Sequence, residues 1–370
     1  MNDIFSLADE LGPLKIIHVH QPAIGLKGIL VVDNVAGGPS IGGVRMAVDV
    51  TLEECARLAR AMTLKNAAAG LAHGGGKAVL MGDPKMPKSQ KEVLIRGFAS
   101  ALREIEQYIF GPDMGTDEEC MAWVYDEIGR AVGLPRELGG IPLDEIGATA
   151  WGLSHAVDVV QEFSDFKTEG ARFVVQGFGA VGKNVTNFLS AAGAIAIAVS
   201  DSSGTIYNRD GLDVRELMAL KEAGRPVTEY ADGEKRDCDA IIDIECDLWI
   251  PAARPDVIDE ANLHRLNTKV VVQGANIAIT PAAEAILHER GVLCIPDFIA
   301  NAGGVICAAM EYQKNSEAVA LSTIEEKLRR NTREVLQTAR QRQISPRQAG
   351  LAMARKRLEK AMSFRRWQLF

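Results

Sequence analysis

Lys65 and Lys77 bracket the segment Asn66-Ala-Ala-Ala-Gly-Leu-Ala-His-Gly-Gly-Gly76, and two amines brought to one place can divide the work of an acid-base reaction. A lysine held near a second cation in a dry pocket loses its proton more easily and serves as a base near neutral pH. Its neighbour, kept charged, holds a carboxylate. A third candidate is Asp113, within Ile109-Phe-Gly-Pro-Asp-Met-Gly-Thr-Asp117, where Pro112 and Gly115 place it on a rigid turn rather than on a helix. An aspartate between proline and glycine usually caps its own turn. Beside an amine it would also carry protons.

The elements around these residues can be read from periodicity. Residues 51–69 have an apolar stripe through Leu52, Cys55, Leu58 and Met62, so a helix is expected there, with Lys65 near its C-terminus and Gly70 stopping it. Gly74, Gly75 and Gly76 are expected to form a turn with backbone freedom for close approach to a ligand, and Ala78-Val79-Leu80 to start a buried strand just after Lys77. Upstream, a strand is expected at 27–33, then a break at Gly37-Gly38-Pro39, then the element Ser40-Ile-Gly-Gly-Val-Arg-Met46. Downstream, residues 90–108 form an amphipathic helix with Val93, Leu94, Phe98, Leu102 and Ile105 inward, and 117–132 a second one ended by Gly133.

The texture changes after Ala171. An apolar strand, Phe173-Val-Val-Gln176, runs into Gly177, Phe178, Gly179, Ala180, Val181 and Gly182, and this G-x-G-x-x-G turn opens a helix over 180–191. Such a turn holds a pyrophosphate at the helix N-terminus. A second strand, 194–200, ends at Asp201, where a carboxylate can accept hydrogen bonds from the ribose hydroxyls and so favours NAD; Ser202 and Ser203 leave NADP possible. Short apolar runs at 240–244, 248–251, 270–273 and 292–295 then read as parallel strands buried on both faces. Beyond Ser322 the chain is helical and charged, and a last helix from Pro346 carries Arg355, Lys356, Arg357, Arg365 and Arg366 before Trp367, Leu369 and Phe370. Basic residues there suit the negative end of a helix dipole, and the apolar tail is expected to dock on the first domain.

A chain of 370 residues is long for one core, so two domains are expected. Its net charge of -8 argues against nucleic acid or an anionic membrane as partner. Six cysteines, Cys55, Cys120, Cys238, Cys246, Cys294 and Cys307, lack metal-ligand spacing and are expected to be buried, reduced thiols. No metal site is expected. The N-terminus has no basic region followed by an apolar core, and no stretch approaches the roughly 20 apolar residues of a spanning helix. A soluble, cytoplasmic protein acting on a small molecule is the expectation.

The Met62–Val79 stretch resembles the lysine-glycine signature of the glutamate/leucine/phenylalanine/valine dehydrogenases, and the likeness continues in order from about Gly38 to Met310. The resemblance implies an α/β protein of two domains. An N-terminal substrate and oligomerisation domain would span 1–145, with C-terminal helices from about 335–370 packing back on it. A Rossmann-type doubly wound dinucleotide-binding domain would span 146–334, with a cleft between the two. The position matching Lys65 binds the substrate α-carboxylate in that family, that matching Lys77 is the catalytic base, and that matching Asp113 shuttles protons to and from the substrate nitrogen. Gly42 and Gly43 match a Gly-Gly-x-Arg element lining the substrate site, Thr149 a cofactor-contacting threonine, and Asn276 a ligand-facing asparagine near the nicotinamide. Residues 251–254 match another loop near that end, and Asn301-Ala-Gly-Gly-Val305 opens a helix returning to the substrate pocket. A homo-oligomer is implied.

The resemblance also bears on the substrate side chain. In the glutamate branch a lysine, a glutamine and a serine meet the distal carboxylate, and the matching positions here are Ile41, Met62 and Ala308. None can pair a charge, so an apolar L-amino acid, leucine-like or aromatic, is expected. Residues 113–119 and 200–208 nonetheless look more like the glutamate branch, which keeps glutamate as the alternative. Two rivals remain: an inactive cofactor-binding paralogue, and a hydroxy-acid oxidoreductase using His73, which stands where the family most often has an aromatic residue.

Overall fold

The computed structural model describes residues 5–365, and the chain divides into two compact units. The first comprises Met1–Leu143, Val305–Ala320 and Leu351–Phe370, the second Asp144–Gly304 and Leu321–Gly350. This differs from the expected boundaries: residues 305–320 belong with the first unit, and 335–350 with the second rather than the first. Trp367, Leu369 and Phe370, expected to dock, and the basic Arg366 lie outside the described residues.

The first unit is built on a five-stranded sheet of order β1-β2-β4-β3-β5, with β1 (Lys15–Gln21), β2 (Leu26–Asn34), β3 (Ser40–Ala47), α1 (Leu52–Ala68), β4 (Gly74–Met81), α2 (Lys88–Ala101), β5 (Tyr108–Pro112) and α3 (Glu118–Ile128). β3 runs parallel to both β4 and β5. One face of the sheet packs against α2 and α3 through Leu30, Val44, Leu80, Phe98, Phe110 and Val124. The other carries α1, which packs Cys55 and Ala59 over Val31 and Val79. Burying each such aliphatic or aromatic side chain stabilises by roughly 1.5–3 kcal/mol.

Three elements of this unit differ from expectation. The glycine triplet is no turn, because Gly74, Gly75 and Gly76 are the first three residues of β4. A Cβ on Gly75 would lie 2.0 Å from the Thr63 amide nitrogen, so the residue is small to let α1 lie directly on the strand. The turn itself falls earlier, where Gly70 at φ 63° ends α1. The second correction is that α2 stops at Ala101 and Tyr108 opens β5; Val93 is exposed. The third is that α3 stops at Ile128, capped by Gly129 in the left-handed region rather than by Gly133.

The second unit holds α4 (Ala148–Val160), β6 (Arg172–Gln176), α5 (Ala180–Ala191), β7 (Ile195–Asp201), β8 (Gly204–Tyr207), α6 (Val214–Glu222), β9 (Glu234–Arg236), β10 (Cys246–Pro251), β11 (Thr268–Val272), α7 (Pro281–Glu289), β12 (Leu293–Ile295), the short α8 (Asp297–Ala300), and then α9 (Gly303–Tyr312), α10 (Glu317–Arg342) and α11 (Pro346–Phe364), which the two units share. Its seven-stranded sheet has the order β12-β11-β10-β6-β7-β8-β9. Five strands are parallel and β8 and β9 add an antiparallel edge. Strand order reverses about β6, which places a ligand crevice at the carboxyl ends of the central strands. The apolar run expected as a strand at 240–244 lies largely in a 3-10 helix, Cys238–Asp243. Cys238 is also exposed, against expectation; the other five thiols are free and buried. Among the described residues no helix is long and apolar enough to cross a membrane, and no cluster of His, Cys, Asp or Glu could hold a metal ion.

Candidate active site

In the first unit the parallel pairing of β3 with both neighbours brings Lys77 of β4 and Asp113, just past β5, to either side of Gly43. Lys77 Nζ lies 2.6 Å from Asp113 Oδ2, and Arg45 Nε reaches the same oxygen at 3.1 Å. Any Cβ on Gly43 would sit 2.7 Å from the Asp113 Cβ and 3.3 Å from Lys77 Nζ. Glycine is therefore required for the amine and carboxylate to meet. Arg45 is held in turn by Glu54 of α1 at 2.6 Å.

Lys77 is buried, with 6% of its surface exposed. Burial alone would push the Asp113 carboxyl up, but the Lys77 ammonium, by charge and hydrogen bond, and the Arg45 guanidinium outweigh it and hold the group below its ordinary value. The pair is thus a carboxylate beside an amine at hydrogen-bonding distance, which is the geometry proton transfer needs. The partner seated on Lys77 is this carboxylate, with the Arg45 guanidinium as a second cation on the same oxygen.

Several supporting residues escaped sequence reading. The Asp113 turn is fastened by Thr116, whose hydroxyl accepts from the Asp113 amide at 3.0 Å and donates to the Val44 carbonyl at 2.8 Å. Tyr108, fully buried, donates its hydroxyl to the Gly42 carbonyl at 2.6 Å. Thr116 had a signal, a hydroxyl three residues after a turn aspartate; Tyr108 had none, since its partner lies in another strand.

Lys65 is half-buried in the last turns of α1, where a cation suits the helix dipole. That helix is fixed at several points. Thr63 donates to Asp33 at 2.6 Å, Arg60 bonds both Asp33 and Asp9, and Arg357 of α11 donates to the Ala68 carbonyl at 2.6 Å. Arg357 and Arg355 of the last helix therefore serve α1 and Glu10, which Arg355 pairs. Ile41 and Ala308 meet in one apolar cluster with Ile109, Val132 and Tyr312. Met62 is half-buried on α1, three residues before Lys65.

His73 is buried, its Nδ1 3.0 Å from the Pro39 carbonyl and its ring edge-on to Tyr312. Burial pulls its pKa down against the opposing pull of Pro39. Its enclosed Nε2 has no hydrogen-bond partner among the described residues.

In the second unit, α5 begins at Ala180 with Gly179 as N-cap and no side chain capping it, so first-turn amides face outward as an anion cradle. A Cβ on Gly182 would fall 1.8 Å from the Gly177 carbonyl oxygen, whereas Gly179 has open space around it. These features fit a dinucleotide pyrophosphate. The amides of Gly177 and Phe178 point instead to the Ser200 carbonyl, and the Phe178 ring is buried; both shape the turn.

Asp201 holds a surprise. One of its oxygens accepts from the Ser203 amide and hydroxyl, the other from Lys221 Nζ at 2.9 Å and the Val227 amide at 3.0 Å. Burial opposes ionisation, yet these donors bring its pKa down to about 2. The carboxylate expected to receive ribose hydroxyls is already engaged, with a cation beside it. Thr149 lies in the first turn of α4, close to Gly304. Asn276 accepts from Asn301 Nδ2 at 2.9 Å.

A parallel sheet with a glycine turn at its switch point, together with a unit bearing a lysine-aspartate pair, defines the class of nicotinamide-dinucleotide oxidoreductases. The chain belongs to the Glutamate/Leucine/Phenylalanine/Valine dehydrogenase family, whose model matches residues 139–366, while the family's dimerisation domain matches 13–130. It is 36% identical to a glutamate dehydrogenase of Aeropyrum pernix, over 90% of this chain and 85% of that one. It is 34% identical to the catabolic NAD-specific glutamate dehydrogenase RocG of Bacillus subtilis, over 90% and 83%. Among solved structures it resembles the hetero-hexameric glutamate dehydrogenase of Thermus thermophilus in its Leu-bound form, with a TM-score of 0.84 at 29% identity, covering 95% of this chain and 90% of that one.

Proposed function

We propose that this protein is an amino acid dehydrogenase that deaminates an apolar L-amino acid oxidatively to its 2-oxo acid and ammonia, and runs the reductive amination in reverse. NAD is the cofactor, with NADP admitted beside Lys221. Lys65 holds the substrate α-carboxylate. The bound nicotinamide supplies the hydride acceptor. Lys77 assists addition of water to the resulting imine, and Asp113, at 2.6 Å from Lys77, moves protons as the carbinolamine collapses and ammonia leaves. Fixing the α-carboxylate fixes which carbon reacts. The glycine turn, Thr149 and Asn276 serve the cofactor. The chain assembles as a homo-oligomer through its first unit.

The observation that carries the side-chain preference is the cluster joining Ala308 to Ile41, Ile109, Val132 and Tyr312. Desolvating a second carboxylate against such walls costs several kcal/mol, whereas each methylene of an aliphatic side chain gains roughly 0.8 kcal/mol. Glutamate stands as the second candidate because the relatives named above act under that name. A panel of L-amino acids assayed with NAD and with NADP decides. We expect kcat/KM for leucine, valine, phenylalanine or tryptophan to exceed that for glutamate; the reverse order would overturn the apolar assignment.

A further inference from the structure

The loop carrying Asn276 is held from the far end of the chain. Ile277, next to it, has φ of 52° and is 44% exposed, a left-handed conformation that β-branched residues rarely adopt. Both its backbone groups are tied. Its amide donates to Asp297 Oδ2 at 2.9 Å, and its carbonyl accepts from the amide of Asp256 at 2.8 Å. Asp256 is itself left-handed, with φ of 51°. The other Asp297 oxygen accepts from Arg347 at 3.0 Å, in the first turn of α11. Arg347 also bonds Glu284 at 2.7 Å, and Glu284 accepts from Gln273, one residue before the loop, at 3.0 Å. Glu284 and Asp297 are both buried. One guanidinium therefore neutralises two buried carboxylates that grip the loop at its start and its end.

We propose that Arg347 is a positioning residue for cofactor binding: through Asp297 and Glu284 it keeps residues 274–277 in the shape that presents Asn276 to the nicotinamide end of the dinucleotide. A loop with a β-branched residue in the left-handed region keeps that shape only while its surroundings enforce it. A lysine in its place is a single point charge and cannot bond both Asp297 and Glu284 as the guanidinium does, so one of the two is left buried without its partner. That group then turns toward other partners, and Ile277 relaxes. The role rests on Asn276 facing the cofactor, as proposed above.

Binding of NADH followed by fluorescence titration tests it without reference to the amino acid substrate. Arg347→Lys is expected to raise the NADH dissociation constant about tenfold, and Ile277→Gly, which adopts the left-handed conformation without strain, to shrink that loss to about threefold or less. A purely structural Arg347 would show no such rescue. Unchanged binding in a folded Arg347→Lys protein, or an equal loss in both backgrounds, overturns the proposal. Should Arg347→Lys fail to fold, Asp297→Asn with and without Ile277→Gly gives the same comparison. Asn276→Ala separates the two levels: if it binds NADH like the wild type, the loop does not face the cofactor and the assignment of Asn276 fails. If it weakens binding while Arg347→Lys does not, only the positioning role of Arg347 fails.

Discussion

Lys77 and Asp113 share one hydrogen bond of 2.6 Å, so neither is an independent acid or base. Lys77→Ala leaves Asp113 to Arg45, and Asp113→Asn leaves a buried ammonium without its counter-charge. Each variant is expected to lower kcat at least about 100-fold while NADH binding stays unchanged; retention of more than about a tenth of the wild-type rate would remove the assigned role. The pairing of Asp201 with Lys221 changes what is expected of the cofactor. Asp201→Ala frees a cation near the ribose, so KM for NADP should fall relative to KM for NAD by about tenfold, the scale of one charge-assisted hydrogen bond. Lys221→Ala should act in the opposite sense, and parallel changes in both constants would show that this pair does not discriminate. Lys77, Asp113 and the Gly177–Gly182 turn could be picked out in the sequence because their types and spacing are local. The partners of Asp201 were not, because Lys221 and Val227 arrive from α6 and the segment after it.

Among the elements, β4 and α1 depend on each other most closely. The Gly75 position meets Thr63 backbone and side chain alike, with Thr63 Oγ1 2.4 Å from an added Cβ, and backbone cannot rotate away as a side-chain tip can. Gly75→Ala should lift α1 from the sheet and cost about 1–3 kcal/mol or more in stability, the scale of overpacking. Because Lys65 and Met62 ride on α1, KM for the amino acid should rise as well. A denaturant midpoint and KM both within error of wild type would contradict this. The same strand explains a misread element. Three consecutive glycines imply a turn when only local propensity is weighed, and nothing in the chain's own pattern announces a helix pressed onto them from outside. The helix over 180–191 was legible to the residue, since its strand, turn and amphipathic face agree with one another. The apolar run at 240–244 was too short to tell a strand from a helical turn.

Over the whole molecule, two units were legible from length and from the change of texture near Ala171, but their membership was not. Residues 305–320 and 351–365 return to the first unit, the latter through contacts such as Leu358 with Leu11 and Ala36, which no local pattern encodes. The first unit also carries a surface with few partners in its own chain. Among the described residues β1 is an edge strand, paired with β2 alone, and unpaired edges are templates for another chain. Beside it lies a groove of about 290 Å³ lined by His18, Val19, His20, Ile29, Val50 and Met81, with Met81 43% exposed. The family's dimerisation domain matches this same stretch, residues 13–130. A second copy of the chain is expected to cover the edge and the groove. Sedimentation at micromolar concentration should therefore give a species larger than a monomer, and Met81→Asp should move it toward smaller species without loss of fold, because an aspartate sealed in an apolar contact is costly and one in water is not. A wild-type monomer at that concentration would remove the assembly, and an unaltered oligomer in the folded Met81→Asp protein would move the interface away from this face.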